Sequence, residues 1–444
     1  MSLPVSAQRY LEKRGPGGPW RMEGAVGCNY QGAVIIPALA ESASLFATLD
    51  SLQTNPAALL EQFLLVVVVN HRPDTAAGDK QDNYLTLCKL AEKAVDFPTL
   101  AWIDAASEGL ELPLKTGGVG LARKLGFDLA LERLDGSGAQ ILATLDADTL
   151  VRDDYLAALC EHFANGVNGG AVVPFCHPLT GDMAERQAII AYELYLRSHV
   201  LGLQLAGSPY AFHTVGSTMV CRARDYVRAG GMNRRQAGED FYFLQQVAKT
   251  SGVGEVAGTV VYPSARISHR TPFGTGRSVA QLATEPYPAR LYYDPRCYDV
   301  LGKWLQLVTD CWSSNAQELL TRSAAISEVL MDFLVKEKFQ DVWPGLCRNH
   351  GDAKSRLAAL HSWFDGLKTT RLIHHLTHAG WHRQVAAQAL PALFMQSGLS
   401  TLNDPEQQLV ALRHRQIGTA CAFCRLPEKS RCCRVESSSC LPDR

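Results

Sequence analysis

From residue 33 onward the chain alternates short apolar runs with segments whose apolar residues recur every three or four positions. AVIIP is an apolar run stopped by Pro37, and SASLFATLDSL follows with helical spacing through Leu45, Leu49 and Leu52. FLLVVVV at 63–69 is a continuous apolar strand that breaks off into NHRPD, the texture of a parallel strand covered on both faces. A short strand is expected near 100–103. Residues 115–134 then open in a glycine-rich turn and become helical. AQILATLDADTL gives a strand ending at Asp146 and Asp148, YLAALCEHF resumes helical spacing, and GGAVVPFCHP at 169–178 reads as another strand. Residues 184–204 are helical in pattern. TVGSTMVCRARDYVRAGG combines a polar loop, a strand and a helix closed by Gly230 and Gly231.

AGEDFYFLQQVAK sets Glu239 and Asp240 at the head of an amphipathic helix, and GTVVYPSA reads as an edge strand leading into RISHRTPFGTGRSV. The alternation predicts an α/β fold: a mixed, mainly parallel sheet with flanking helices, because crossover helices must cover a parallel sheet. After about residue 298 the pattern is mostly helical. Four units result: a leader and connector over 1–30, a catalytic-type α/β domain over 31–298, a helical accessory region over 299–417 and a Cys-rich tail over 418–444.

Composition narrows the function classes. Apolar residues make up 47% of the 444, far from a disordered composition, and the net charge of −1 leaves no overall electrostatic footprint for nucleic acid. The first twenty residues lack the apolar core of a signal peptide, and the run at 63–69 is too short to cross a bilayer. The expectation is a soluble cytoplasmic protein, with peripheral contact at a membrane surface left open. Cys421, Cys424, Cys432, Cys433 and Cys440 crowd the tail; the Cys421–Cys424 spacing suits a zinc site, but the distal cysteines do not repeat it.

Asp146 and Asp148, two apart at a strand's carboxyl end, project to one side about 6.6 Å apart by strand rise. Ligands bind at that end of open α/β sheets. One carboxylate can reach a ribose hydroxyl and the other, Asp148, a Mg2+ or Mn2+ ion that bridges a diphosphate. The plainer alternative is an Asx cap for the helix near Asp153. Glu239 and Asp240 either stabilise a helix start or orient and deprotonate an acceptor hydroxyl. His269 is a candidate third metal ligand. Around it Arg266, Arg270 and Arg277 suit phosphate oxygens, and Gly274 and Gly276 allow close backbone approach. Lys115, Gly118 and Arg123 form a further anion candidate at a helix start, against a plain turn with solvent-facing cations such as Lys124.

Taken in order, these motifs resemble the family-2 nucleotide-diphospho-sugar glycosyltransferases of the GT-A fold, over roughly residues 30–280. VIIPALAE at 34–41 resembles their first strand and acidic turn, and places Pro37, Ala38 and Glu41 beside the donor; Ala40 stands where many members carry Asn. VVVVNHRPD at 66–74 resembles the strand that meets the base, with Asn70 where many carry Asp. GGVGLARK resembles the segment bearing an Arg before the aspartates, and LDAD at 145–148 matches the DxD metal and ribose motif. GED at 238–240 falls where inverting members carry their base, at Asp240.

The resemblance implies a hexosyltransferase-like enzyme. It would take a nucleotide-diphospho-sugar as donor, depend on Mg2+ or Mn2+, and transfer with inversion to the hydroxyl of a carbohydrate or small-molecule acceptor. Three alternatives stay open at this level. One is a retaining GT-A enzyme acting on a small anionic acceptor such as a glycerate, since some such relatives use a His after the sheet. Another is a nucleotidyltransferase, which would favour a glycine- and lysine-rich first-strand motif that VIIPALAE is not. The last is a catalytically inactive nucleotide-sugar-binding protein.

Overall fold

The structure, a computed structural model, describes residues 3–25, 27–266 and 291–417. Its centre is an eight-stranded sheet of order β1-β4-β3-β2-β5-β8-β7-β9. The strands are β1 (Met22–Gly24), β2 (Gly32–Ala38), β3 (Phe63–Asn70), β4 (Leu100–Ala105), β5 (Ile141–Thr144), β7 (Gly170–Val172), β8 (Met219–Arg222) and β9 (Val253–Glu255). Strands β4, β3, β2 and β5 run parallel, whereas β8 is antiparallel to both β5 and β7. The expected α/β architecture is present, mixed in direction and parallel at its centre.

The apolar runs of β2 and β3 are continuous because both faces of the sheet are covered. Ala33, Ile35, Leu64, Val66 and Val68 enter one core, with α5 (Val119–Leu131), α8 (Ala223–Arg228) and α9 (Glu239–Ser251). Val34, Ile36, Phe63, Leu65 and Val67 enter the opposite core, with α2 (Leu45–Gln53) and α6 (Tyr155–Asn165). Pro37 does not stop β2, which continues in register to Ala38. The Ile35 carbonyl accepts from the Leu145 amide on the β5 side, so Pro37, two residues on, faces that same side. Ladder pairing with β5 has ended there at Ile35 and Thr144, and the missing Pro37 N–H costs no hydrogen bond.

The leader segment is built into the fold. Helix α1 (Val5–Arg14) sends Tyr10 into the core, where its hydroxyl donates to Asp128 at 2.9 Å, and β1 extends the sheet against β4. GTVVYPSA supplies β10 (Val261–Pro263), which meets the chain running on from β7 through a parallel bridge between Val261 and Phe175 but does not enter the eight-stranded ladder. It pairs with β6 (Thr149–Val151) in a two-stranded ribbon, because the turn between β5 and β6 sends β6 toward it. Likewise β5 ends at Thr144, so Asp146 and Asp148 sit in the β5–β6 turn, not in extended strand. The Cys-rich tail lies outside the described residues.

Residues 296–417 are mostly helical, as the pattern after about residue 298 predicts, and form an apolar core with α7 (Met183–Leu205). A buried ionic lock fixes the arrangement. Glu193 on α7 accepts from Arg197 at 2.7 Å, from Arg413 on the last helix (Pro405–Ile417) at 2.5 Å and from the His177 amide at 3.0 Å. Burial alone would raise the Glu193 carboxyl, but Arg197 and Arg413 hold it well below the usual range. Among the described residues no helix is long and apolar enough to cross a membrane. Removing the anion leaves two buried guanidiniums unbalanced, so Glu193→Ala should cost about 3–5 kcal/mol. Urea unfolding reads this directly; a loss under about 1 kcal/mol would mean that the lock contributes little.

Candidate functional site

Because β2, β3, β4 and β5 are parallel, their carboxyl ends open onto one edge, and the loops leaving them build the site. The loop after β2 is held from α4 (Ala77–Lys93). Asn83 accepts from the Ala40 amide at 2.8 Å and donates to the Asn70 carbonyl at 3.2 Å, while Asp82 accepts from the Ser42 amide at 3.0 Å. Ala40 sits at φ 52°, a left-handed conformation that Asn adopts more readily than Ala. Glu41 follows, with its carboxylate accepting from the Ser44 hydroxyl at 2.5 Å.

Arg123 lies at the centre. It is on α5, its side chain only 3% exposed, and its guanidinium bonds both Asp146 of the LDAD motif and Glu239 of the GED motif. Its Nε also donates to Thr144 at the end of β5, at 3.2 Å. Two glycines make this reach practicable. A Cβ on Gly216 would land on the Arg123 guanidinium, and one on Gly120 would meet the Asn233 and Arg235 carbonyls and the Glu239 side chain. Glu239 is therefore not a plain helix-start residue: its carboxylate turns inward to Arg123. Helix α9 begins after Gly238, at φ 68°, without a side-chain cap. The Asn233 amide donates to the Glu239 carbonyl at 2.8 Å and fixes the approach of the chain.

Asp240, next to that pair, accepts from the Phe241 amide at 2.7 Å. Burial, and then the adjacent Glu239 charge, push its carboxyl up to about 7, with Arg123 opposing. Asp148 is also pushed up, to about 6, by burial and by Glu41 and Asp146. This holds even though Arg266 bonds Asp148 at 2.9 Å and also bonds Glu41. Arg266 is delivered by the β6–β10 ribbon, in which Pro263 pairs with Thr149 and the Ser264 amide donates to the Asp148 carbonyl at 3.1 Å.

The structure thus brings Glu41, Arg123, Asp146, Asp148, Glu239 and Asp240 to one site and assigns other positions elsewhere. Asn70 does not offer its amide to a ligand. It donates to the Ala38 and Val68 carbonyls at 3.1 and 3.0 Å and so joins the ends of β2 and β3. Pro37 and Ala38 are buried in β2. Arg123 is committed to carboxylates, which displaces its expected role as a phosphate donor. Lys124 is buried, not solvent-facing, and pairs with Asp128 at 2.6 Å. Lys115 is exposed, and Gly118 packs near Gln236. His269, Arg270 and Arg277 lie outside the described residues.

Sequence reasoning passed over Asn83, Asp82 and Gly216, whose roles arise only when distant segments meet. Arg266, which the sequence pattern offers to phosphate oxygens with Arg270 and Arg277, is paired in the structure with Asp148 and Glu41.

The donor chemistry suits a hard divalent cation. Asp148 and Glu41 are oxygen donors on adjoining turns, and among the described residues the site's carboxylates outnumber the guanidiniums that pair with them. No three His, Cys, Asp or Glu side chains among the described residues gather as a metal cage. Mg2+ commonly takes one or two carboxylates with water and substrate phosphates, a pattern these residues can meet.

No family model and no curated protein matches the sequence. Solved structures do match. One is TarS of S. aureus at 14% identity and a TM-score of 0.32, covering 52% of this chain, which spans 36% of the TarS chain. Residues 1–349 of TarS in complex with UDP-GlcNAc match at 11% identity and a TM-score of 0.36, covering 86% and 90% of the two chains. The mannosyltransferase PcManGT from Pyrobaculum calidifontis, in complex with GDP-Man and Mn2+, matches at 17% identity and a TM-score of 0.36, covering 84% and 91%.

Proposed function

We propose that this chain is a glycosyltransferase that moves a sugar from a nucleotide-diphospho-sugar to an acceptor hydroxyl, with metal dependence and inversion at the anomeric carbon. The observation that carries this reading is the joining of the two acidic motifs by one buried guanidinium: Arg123 holds Asp146 on one side and Glu239, next to Asp240, on the other. A donor-side carboxylate and an acceptor-side carboxylate are thereby fixed in one frame at the carboxyl edge of the sheet.

The roles follow from that placement. Asp240 takes the acceptor proton as its oxygen attacks the anomeric carbon, and Glu239, locked by Arg123, keeps the start of α9 in position. Asp146 lies on the ribose side. An anionic diphosphate meets a site already rich in carboxylate, so counter-charge is required. When bound, a Mg2+ or Mn2+ ion held by Asp148 neutralises charge on the leaving diphosphate. His269 is assigned as a further ligand and Arg270 and Arg277 as diphosphate partners, as the sequence motifs imply.

The reading makes distinct demands on Asp240. Asp240→Asn keeps size but removes the proton acceptor, so transfer should fall by about 10²–10⁴-fold while donor binding survives. A rate within about threefold of wild type would reduce Asp240 to a structural residue. With its carboxyl at about 7, wild-type transfer should rise as pH increases through about 7. The stability effect has the opposite sign. The folded-state value lies above the unfolded one, so the fold binds the Asp240 proton more tightly and loses that advantage as pH rises through about 7. Relative to wild type, Asp240→Asn should therefore be more stable at pH 8 than at pH 4, measured by thermal melting at both. The anomeric configuration of the product, read by NMR coupling constants, decides inversion; retention would demote Asp240 to a positioning role.

The Arg123 junction makes a separate demand. Gly216→Ala presses a methyl on the guanidinium and should cost about 1–3 kcal/mol. It should also lower transfer, whereas Lys354→Ala, exposed on a helix of the carboxy-terminal region, should do neither. Equal behaviour of the two variants would show that the junction tolerates displacement.

A further inference from the structure

Arg266 lies where the proposed function needs a cation. Its Nε donates to Asp148 at 2.9 Å and another guanidinium nitrogen donates to Glu41, so one planar group bridges the carboxylates of two turns. Two things hold it there without a ligand. The ribbon of β6 and β10 pairs Pro263 with Thr149, one residue after Asp148, and the Arg266 amide donates to the Ser264 hydroxyl at 3.3 Å. The chain therefore reaches Asp148 by its own backbone register. Glu41 is supported independently, at the start of α2, by the Ser44 hydroxyl.

Arg266 engages Oδ2 of Asp148 and Oε2 of Glu41, and a guanidinium and a hard divalent ion held by the same two carboxylates repel each other at close range. We infer that Arg266 is an internal counter-ion for the donor site: it neutralises Asp148 and Glu41 before substrate arrives and competes with the divalent cation for Asp148. The inference rests on the reading of Asp148 as the metal-side carboxylate. It adds that metal affinity is weak in the donor-free protein and rises when the donor's diphosphate draws the guanidinium off Asp148. A guanidinium released in this way is matched in charge and shape to phosphate oxygens. The same residue then suppresses metal binding without donor and favours it with donor, which makes the order of binding cooperative.

The test is Mn2+ binding to the full-length protein without donor, followed by the loss of the free-ion electron paramagnetic resonance signal. Arg266→Ala should bind Mn2+ at least about tenfold more tightly than wild type, because a positive charge within bonding distance of the ligand has been removed. Arg266→Lys, which keeps the charge, should stay near wild type. With a nucleoside diphosphate present, wild type should gain Mn2+ affinity and Arg266→Ala should gain less. Unchanged or weaker Mn2+ binding by a folded Arg266→Ala protein would overturn the inference. Asp148→Asn in the Arg266→Ala background separates the two levels. Loss of Mn2+ binding there supports Asp148 as ligand whatever Arg266 does, and undiminished binding would overturn both the ligand assignment and the competition.

Discussion

The site depends on one buried guanidinium. Arg123 comes from the first turns of a helix packed under the sheet, and it touches the end of β5, the turn after β5 and the first residue of α9. Arg123 and Glu239 are 116 residues apart in sequence, and apolar packing alone does not set the distance between such segments to the accuracy chemistry requires. A planar cation with fixed donor directions does. It also makes the cluster tolerable, since Asp146 and Glu239 would repel each other in a partly buried site without it. The glycines at 120 and 216 belong to the same device: each removes a side chain from the volume through which Arg123 reaches and the loop before α9 approaches.

Around this junction the electrostatics are left incomplete. Asp240 and Asp148 both have their carboxyls pushed upward, chiefly by burial, even with guanidiniums nearby. Glu193, between two buried arginines, is driven the other way: its partners hold its carboxyl well below the usual range. The contrast within one molecule is informative. The lock between α7 and the last helix is closed and satisfied, as a part that only holds shape should be. At the sheet edge Asp240 and Asp148 are pushed toward protonation, the direction that suits the proton-accepting role proposed for Asp240.

Much of this was legible in the sequence. The continuous apolar runs of β2 and β3 and the helical spacing after residue 298 predicted both layers, because burial on two faces leaves a pattern that no loop mimics. The acidic motifs were visible for the same reason: polar residues at the end of a buried strand are costly unless used or paired. Partners were not legible. Nothing local marks Asn83 as the residue that holds Ala40, or says that Asn70 turns back on Ala38 and not toward a ligand. Arg123 looked like an anion donor because its charge was visible and its burial was not. Pro37 looked like a terminator because its harmless place depends on where β5 stops.

The central claim is that these carboxylates form a donor site for nucleotide-diphospho-sugars. It is tested most directly by incubating the protein with UDP- and GDP-sugars and Mn2+ and following release of nucleoside diphosphate by phosphorus NMR, with Asp148→Asn as the paired control. The account predicts slow release from at least one donor, dependent on Mn2+ and lost in the folded Asp148→Asn protein. Release that persists unchanged in that variant, or no release and no binding with any donor, would contradict it.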